Sequence, residues 1–263
     1  MERSPVDQRA LELIQVSMRF DRVINRKLIK IHNGQDDYSF VAKSATHAAS
    51  STAIEELIID HTPSTVGYSS SRKSIIKLVK PRSWHEKIKL AWGHSRIDKE
   101  LQGFKSLQKL NIRTPEILYY GFRPLLSFRQ KYIGFHITEN LSLRGDIECY
   151  SLFSDGKTSA STRLDVIDNI CSALLLLKSK RLVFTDFHLS NVFVDNENNI
   201  TLIDPGLSKY YLNSGLNKKL SKSIHRFLSY HGDDFFTPDE RERILKASCL
   251  VQSLSSTLTG LGQ

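Results

Sequence analysis

Cysteine is scarce in this chain. Cys149, Cys171 and Cys249 stand far apart with no Cys-x-x-Cys pair, which argues against a disulfide framework and a zinc site and fits a reducing, cytoplasmic setting. Long apolar runs are also missing. None approaches the roughly 18 residues that a membrane span requires, and the start, Met-Glu-Arg-Ser-Pro-Val-Asp-Gln-Arg, lacks the basic-then-apolar pattern of a secretory signal. The expectation is a protein neither exported nor integral to a membrane. There are no internal repeats and no low-complexity blocks, and 40% of the 263 residues are hydrophobic, enough for a sizeable core in one two-lobed domain or two small ones. Acidic residues are outnumbered, 28 against 37 Lys and Arg, for a net charge of +9. That surplus points to something anionic: nucleic acid, a phosphorylated substrate or a membrane surface. With no aromatic-rich basic platform or recognition-helix pattern, nucleic acid is disfavoured.

What is present reads as two halves. Leu11, Ile14, Met18, Val23, Ile24 and Leu28 fall at roughly helical spacing and predict one or two opening helices between Asp7 and Lys30. Apolar and β-branched runs bounded by turn residues predict strands around 54 to 60, 65 to 69 and 74 to 80. In Pro81 to Gly93, Trp84, Ile88 and Trp92 share one face of a short basic amphipathic helix. Ser95 suits an N-cap for a helix whose apolar stripe is Ile97, Leu101, Phe104 and Leu107, with Glu100 inside the stripe. Residues 111 to 121 break the helix at Thr114-Pro115 and enter a strand, and Tyr132 to Thr138 read as another. After Glu139 helices dominate: Leu164 to Leu177, Leu216 to Tyr230 and Pro238 to Leu254. The expected fold class is α+β, an antiparallel sheet with one main helix over 1–138 and a mostly helical portion over 139–263.

The chemistry concentrates between Phe184 and Gly206, "FTDFHLSNVFVDNENNITLIDPG". Asn191 to Asp195 and Ile200 to Asp204 form a hairpin whose turn, Asn196 to Asn199, tolerates positive φ. Asp186 precedes Asn191 by five residues, and Asp204 ends the second strand before Pro205-Gly206, so three oxygen-bearing side chains converge at one end. Mg²⁺ takes hard oxygen ligands alongside phosphates, so Asn191 and Asp204 suit the metal while Asp186 orients a hydroxyl. The spacing is that of a kinase catalytic loop, Asp-x-x-x-x-Asn, followed by an Asp-x-Gly metal motif. The bland alternative is a polar hairpin whose acids cap turns. Upstream, Lys77 sits among Ile75, Ile76 and Val79, and Glu100 on an apolar helical face needs a partner. An ion pair between them would hold the ammonium against the ATP phosphates. Alone, Lys77 also fits a snorkelling strand lysine. All four features in order point to a bilobal protein-kinase-like fold using ATP and Mg²⁺.

A narrower resemblance rests on Ile76-Lys-Leu-Val-Lys-Pro-Arg-Ser83, the basic helix, "SRIDKELQGFKSLQKLNIRTPEILYYG" and the catalytic hairpin. Together they resemble the lipopolysaccharide core kinases, the bacterial Kdo/heptose kinase family, over about residues 54 to 210, with Asn111 where that family has glycine before its Thr-Pro. The resemblance implies transfer of the ATP γ-phosphoryl group to a heptose or Kdo hydroxyl of a lipid A-linked core oligosaccharide. It implies Asp186 as catalytic base, Asn191 and Asp204 on Mg²⁺, Lys77 on the phosphates and Glu100 positioning it. Thr138 to Leu141 would form the hinge, with Glu139 and Leu141 meeting adenine through their backbone.

Departures from the protein kinases are specific. Phe184-Thr185 stands where they have His-Arg, no Ala-Pro-Glu follows Asp204, and there is no Gly-x-Gly-x-x-Gly, so His61 to Gly67 must serve as the phosphate-covering turn. Protein substrates are disfavoured. His188 stands where protein kinases usually have lysine, an arrangement similar to the aminoglycoside and choline phosphotransferases; it suits either a γ-phosphate contact or a packed neutral imidazole. Those small-molecule enzymes are one alternative and a nucleotide-binding pseudokinase is another, the intact Asp186, Asn191 and Asp204 arguing against the second. Trp84 and Trp92 suit either sheet packing or insertion into an anionic inner-membrane surface beside the helix lysines, which would place the protein on the cytoplasmic face. Nothing in the sequence indicates an obligate protein partner.

Overall fold

A computed structural model describes residues 28–34, 36–44, 51–61, 63–69, 73–83, 85–86, 95–122, 131–232 and 235–247. They fall into two units, one drawn from 1–98 and 116–140, the other from 99–115 and 141–263. The class is α+β, as expected.

The first unit is an eight-stranded sheet: β1 (Leu28–Asn33), β2 (Asp36–Ser44), β3 (Ser51–Ile54), β4 (Glu56–His61), β5 (Ser64–Ser69), β6 (Ser74–Val79), β7 (Ile117–Phe122) and β8 (Gly134–Glu139), in the order β3-β1-β2-β7-β8-β6-β5-β4. The pairs are antiparallel except β1 with β3. The two ends of that order, β3 and β4, are consecutive in the chain, separated by Glu55, whose N–H donates to Tyr68 O at 3.0 Å. One stretch therefore borders both ends, and the sheet curls until they meet. Gly67 allows the meeting, since a Cβ there would lie 2.1 Å from Ile54 Cγ2. Inside the curl, alternate residues of each strand make the core: Ile29 and Ile31, Phe40 and Ala42, Ile76 and Leu78, Phe135 and Ile137. The buried Tyr132 hydroxyl is satisfied by Thr65 Oγ1 at 2.9 Å and Asn33 Nδ2 at 3.2 Å.

Two expectations change here. Leu28 to Lys30 are strand, not helix: Ile29 and Ile31 alternate with exposed Leu28 and Lys30, a period of two that six residues of apparent helical spacing concealed. The rest of the expected opening helices, Trp84 and residues 87–94 lie outside the described residues. Ser64 to Gly67 belong to β5, paired with β6, so the β4–β5 connection lies between His61 and Ser64 rather than extending to Gly67.

In the second unit, α1 (Arg96–Lys109) contributes its residues from Lys99 onward, after Ser95 has capped its start by accepting the Asp98 N–H at 3.2 Å. β9 (Ile147–Glu148), α2 (Cys149–Ser154), α3 (Ala160–Ser179), β10 (Leu182–Phe184), β11 (Val192–Val194), β12 (Ile200–Leu202), β13 (Leu207–Lys209) and α4 (Asn213–Ser229) follow, and 238–247 is helical, α5. Their core joins Leu107, Val166, Ile170, Leu174, Val183, Phe184, Phe187, Leu189, Ile224 and Phe227. Arg163 on α3 grips Glu240 on α5 with Nε–Oε1 at 2.6 Å and Nη2–Oε2 at 2.8 Å. Burial opposes ionisation of Glu240, yet Arg163 and the Thr237 N–H hold its carboxyl below the usual range.

Candidate active site

The polypeptide between β10 and β11 alternates between core and surface. Phe184, Phe187 and Leu189 are buried, so Thr185 is exposed and Asp186 and His188 are left at the surface end. The backbone is fastened at both sides. Thr185 donates its N–H and its Oγ1 to Gly206 O at 2.8 and 2.7 Å, and Ser223 Oγ donates to Phe184 O. At the far side, residues 189–191 form a single 3-10 turn, and the Asn191 N–H donates to His188 O at 3.0 Å.

Asn191 is buried and fully engaged on its amide nitrogen: Nδ2 donates to Asp186 O at 2.9 Å and to His188 Nε2 at 3.0 Å. Its Oδ1 is thereby turned away from both, as an oxygen donor with no competing bond from Nδ2. Asp204 lies one connection away. Ile203 N–H donates to Asn191 O at 3.0 Å, and the Gly206 α-carbon faces Thr185 and Asp186, so residues 203 to 206 run alongside the loop. Asp204 adopts φ of +49°, followed by two tight turns in which Gly206 N–H donates to Asp204 O and Leu207 N–H to Pro205 O, both at 2.8 Å. A non-glycine residue in that region costs about 1–3 kcal/mol, and such strain gathers at functional sites.

Gly103 on α1 makes room for this turn: a Cβ there would stand 2.3 Å from Pro205 O. The sequence reading missed Gly103, and nothing local to it gives a signal. It placed a helix at Leu216 to Tyr230, which α4 bears out, but did not bring that helix to the loop. Ser223, Arg226, Phe227 and Tyr230 recur at i, i+3, i+4 and i+7 and meet the loop in order: Ser223 at Phe184 O, Arg226 at Asp186, Phe227 stacked on Phe187 at 4.6 Å, and Tyr230 stacked on His188 at 4.2 Å. Arg226 Nη2 is 2.9 Å from Asp186 Oδ1, an ion pair rather than an aligned hydrogen bond, because that buried oxygen has no hydrogen-bond partner among the described residues. Burial, and then the Arg226 charge, push the His188 imidazole below its ordinary value against the opposing pull of Asp186 and Asp204, so it is neutral at pH 7. With Nε2 accepting from Asn191, its proton sits on Nδ1, which has no partner among the described residues.

Asn191 and Asp204 suit a hard cation by donor type: one amide and one carboxylate oxygen source on adjoining backbone. No group of three or more His, Cys, Asp and Glu side chains among the described residues is placed to hold a metal by itself.

The remaining expected residues are distributed over both units. Lys77 on β6 is 7% exposed, opposite Val66 on β5 and His136 on β8, on the sheet face away from the Ile76 and Leu78 core. Glu139 ends β8; its N–H donates to Glu116 O at 3.1 Å and its carboxylate accepts the Glu116 N–H at 2.9 Å, so that amide is not open to a nucleobase. Glu100 on α1, 6% exposed, and Leu141, buried in a short 3-10 turn, belong to the second unit. The structure thus brings Asp186, His188, Asn191 and Asp204 together within the second unit.

A family model described as protein tyrosine and serine/threonine kinase matches residues 104–228, which include all four of these residues and Arg226. The match supports a place in the protein-kinase-like superfamily, and with it phosphotransferase activity as the class of reaction. Family and architecture agree on a protein-kinase-like fold: a multistranded antiparallel sheet in the first unit, helices dominating the second. No curated protein matches the chain. No helix among the described residues is long and apolar enough to cross a membrane.

Proposed function

We propose that the protein is an ATP-dependent sugar kinase that phosphorylates a heptose or Kdo hydroxyl of the lipopolysaccharide inner core. The observation that carries the catalytic part is the Asn191 side chain, whose nitrogen is spent on Asp186 O and His188, so that its oxygen is the atom offered to Mg²⁺, with Asp204 as the second ligand in this reading. Bound Mg²⁺ would neutralise charge on the ATP phosphates. Asp186 orients the acceptor hydroxyl: the acceptor oxygen bonds to the γ-phosphorus, its proton passes to the Asp186 carboxylate, and the bridging O–P bond breaks with its electron pair remaining on ADP. In this reading Lys77 takes the phosphates and Glu100 positions it, roles that rest on the likeness to the core kinases. The sugar acceptor rests on the likeness to the core kinases around Lys77, Pro81-Arg82-Ser83 and Thr114-Pro115.

Incubation of the purified chain with ATP, Mg²⁺ and core oligosaccharide should add about 80 Da per phosphate in the mass spectrum. Asp186→Ala should lower that rate about 10²–10⁴-fold without unfolding the protein. Equal activity in the variant would overturn the role of Asp186, and an active enzyme that leaves every core glycan unchanged would move the acceptor to the small-molecule class. We place the enzyme on the cytoplasmic face of the inner membrane, held by Trp84, Trp92 and the lysines of 81–93, with no nucleic-acid partner. Co-sedimentation with anionic liposomes should fall in Trp92→Glu; unchanged binding would remove the membrane contact.

A further inference from the structure

Four side chains of α4 and the residue after it meet the catalytic loop, and they divide into two kinds. Ser223 and Phe227 are buried and hold the loop from beneath, on Phe184 O and Phe187. Arg226 and Tyr230 do not need to be where they are for that purpose. The Arg226 side chain is 49% exposed while one nitrogen sits 2.9 Å from Asp186 Oδ1. Tyr230 is 47% exposed, stacked on His188 by one face and with the Arg226 guanidinium 5.7 Å from its ring centre. Beyond it the rings continue: His231 meets Tyr230 edge-on at 4.8 Å, and Tyr150 stacks on His231 at 4.1 Å. The open side of the loop therefore presents one guanidinium and a run of rings, directly beside the carboxylate assigned to the acceptor hydroxyl.

A guanidinium has five N–H donors in a planar fork that matches a carboxylate or a phosphate, and the single contact to Asp186 leaves most of them to solvent. An aromatic face takes the weakly positive C–H face of a sugar ring. A cationic acceptor would meet like charge here, which works against choline-like or aminoglycoside-like substrates.

We propose that Arg226, flanked by Tyr230, is the acceptor-recognition residue: it binds an anionic group, carboxylate or phosphate, carried by the acceptor sugar beside the hydroxyl that Asp186 orients. This rests on the kinase reading of Asp186 given above. Asp186 Oδ1 and the anion are held by the same guanidinium, which fixes the distance between the acceptor's charged group and its reactive oxygen. Arg226 thus selects the substrate, and Tyr230 supports the sugar ring.

The test is calorimetric titration of the full chain, holding Mg²⁺ and a non-hydrolysable ATP analogue, with two pairs of probes: Kdo against its methyl ester, and glucose 6-phosphate against glucose. In at least one pair the anion should bind roughly 10-fold or more tightly than its neutral partner, the magnitude of a charge-assisted hydrogen bond. The first pair reports a carboxylate preference and the second a phosphate preference. Arg226→Gln should erase the difference and Arg226→Lys keep part of it, while Tyr230→Leu should weaken both members of a pair alike and leave their ratio. A ratio near one in both pairs, no binding of any probe, or a preference that survives Arg226→Gln would overturn the assignment. Acceptor-free ATP hydrolysis by the unaltered chain, lost in Asp186→Asn, reports on the kinase reading separately. Hydrolysis without anion preference sinks only the role of Arg226, and anion preference without hydrolysis sinks only the kinase.

Discussion

The molecule contains two hairpins that a kinase reading makes important, and they are held together in opposite ways. β4–β5 has six-residue strands inside an eight-stranded sheet, and β5 is paired along its whole length with β6. β11–β12 has three-residue strands whose further neighbour, β9, supplies two residues. So short a ladder cannot fix its own ends. Support arrives from outside: Arg113 pairs with Asp195 and accepts Leu202 N–H at 2.9 Å, and Asn169 Nδ2 donates to Asn198 O at 2.9 Å. Arg113 also contributes to holding the Asp195 carboxyl at about 2 despite its partial burial. The first hairpin owes its geometry to strand pairing, the second to residues many positions away.

If that contrast is right, glycine substitutions should separate the two. Gly103→Ala forces a Cβ toward Pro205 O, a backbone atom that can yield only by moving the Asp204 turn. The expected cost is about 3 kcal/mol, the upper part of the overpacking range. Hydrogen-exchange protection should fall across 200–209 and activity should drop with it. Gly67→Ala clashes equally, with Ile54 Cγ2, yet its loss of protection should stay within β3 to β5. A uniform loss over the whole chain in both variants would abolish the distinction.

Smaller single contacts should show the same asymmetry. Ser223→Ala leaves the buried Phe184 O without its donor and should lower stability by about 1–2 kcal/mol, most visibly at Thr185 and Asp186. Lys80→Ala, which removes the partly exposed Lys80–Asp60 pair beside β4–β5, should cost no more than about 1 kcal/mol by chemical denaturation. A larger loss for Lys80 than for Ser223 would reverse the ranking.

The same division decides what could be read in advance. Asp186, Asn191 and Asp204 were legible because their relation is local, a five-residue interval and a hairpin. The stripe of Ile97, Leu101, Phe104 and Leu107 was legible because all four face inward with helical periodicity. Lys77 was legible as a strand residue because both faces of β6 are buried and its run is β-branched. β2 was not: Tyr38, Phe40 and Ala42 alternate with Ser39, Val41 and Lys43 over a stretch that opens on two aspartates, and pairing with β1 and β7 makes it a strand. Arg226 and Gly103 escaped for a related reason, since each matters only through a partner 40 or more positions away that no spacing rule connects.

Protonation offers the finest division of the two hairpins. His188 beside β11 is partly buried and neutral, its pKa lowered from 6.5 chiefly by that burial, so the unfolded chain binds more protons than the folded one as pH falls under that value. Its contribution is complete above pH 6.5 and declines below it. Asp60 in β4 is held below 3.8 by hydrogen bonds from Lys80 and Thr65, so its contribution is complete above pH 3.8 and is lost only as pH falls further. Denaturation midpoints followed from pH 7 to pH 3 should therefore bend twice. His188→Gln should reduce the upper bend, which His231 shares, and Asp60→Asn the lower one, which Asp195 and Glu240 share, each leaving the other in place. If either substitution flattened both, the two hairpins would share one cooperative protonation response, and the difference in how they are held would carry no consequence for stability.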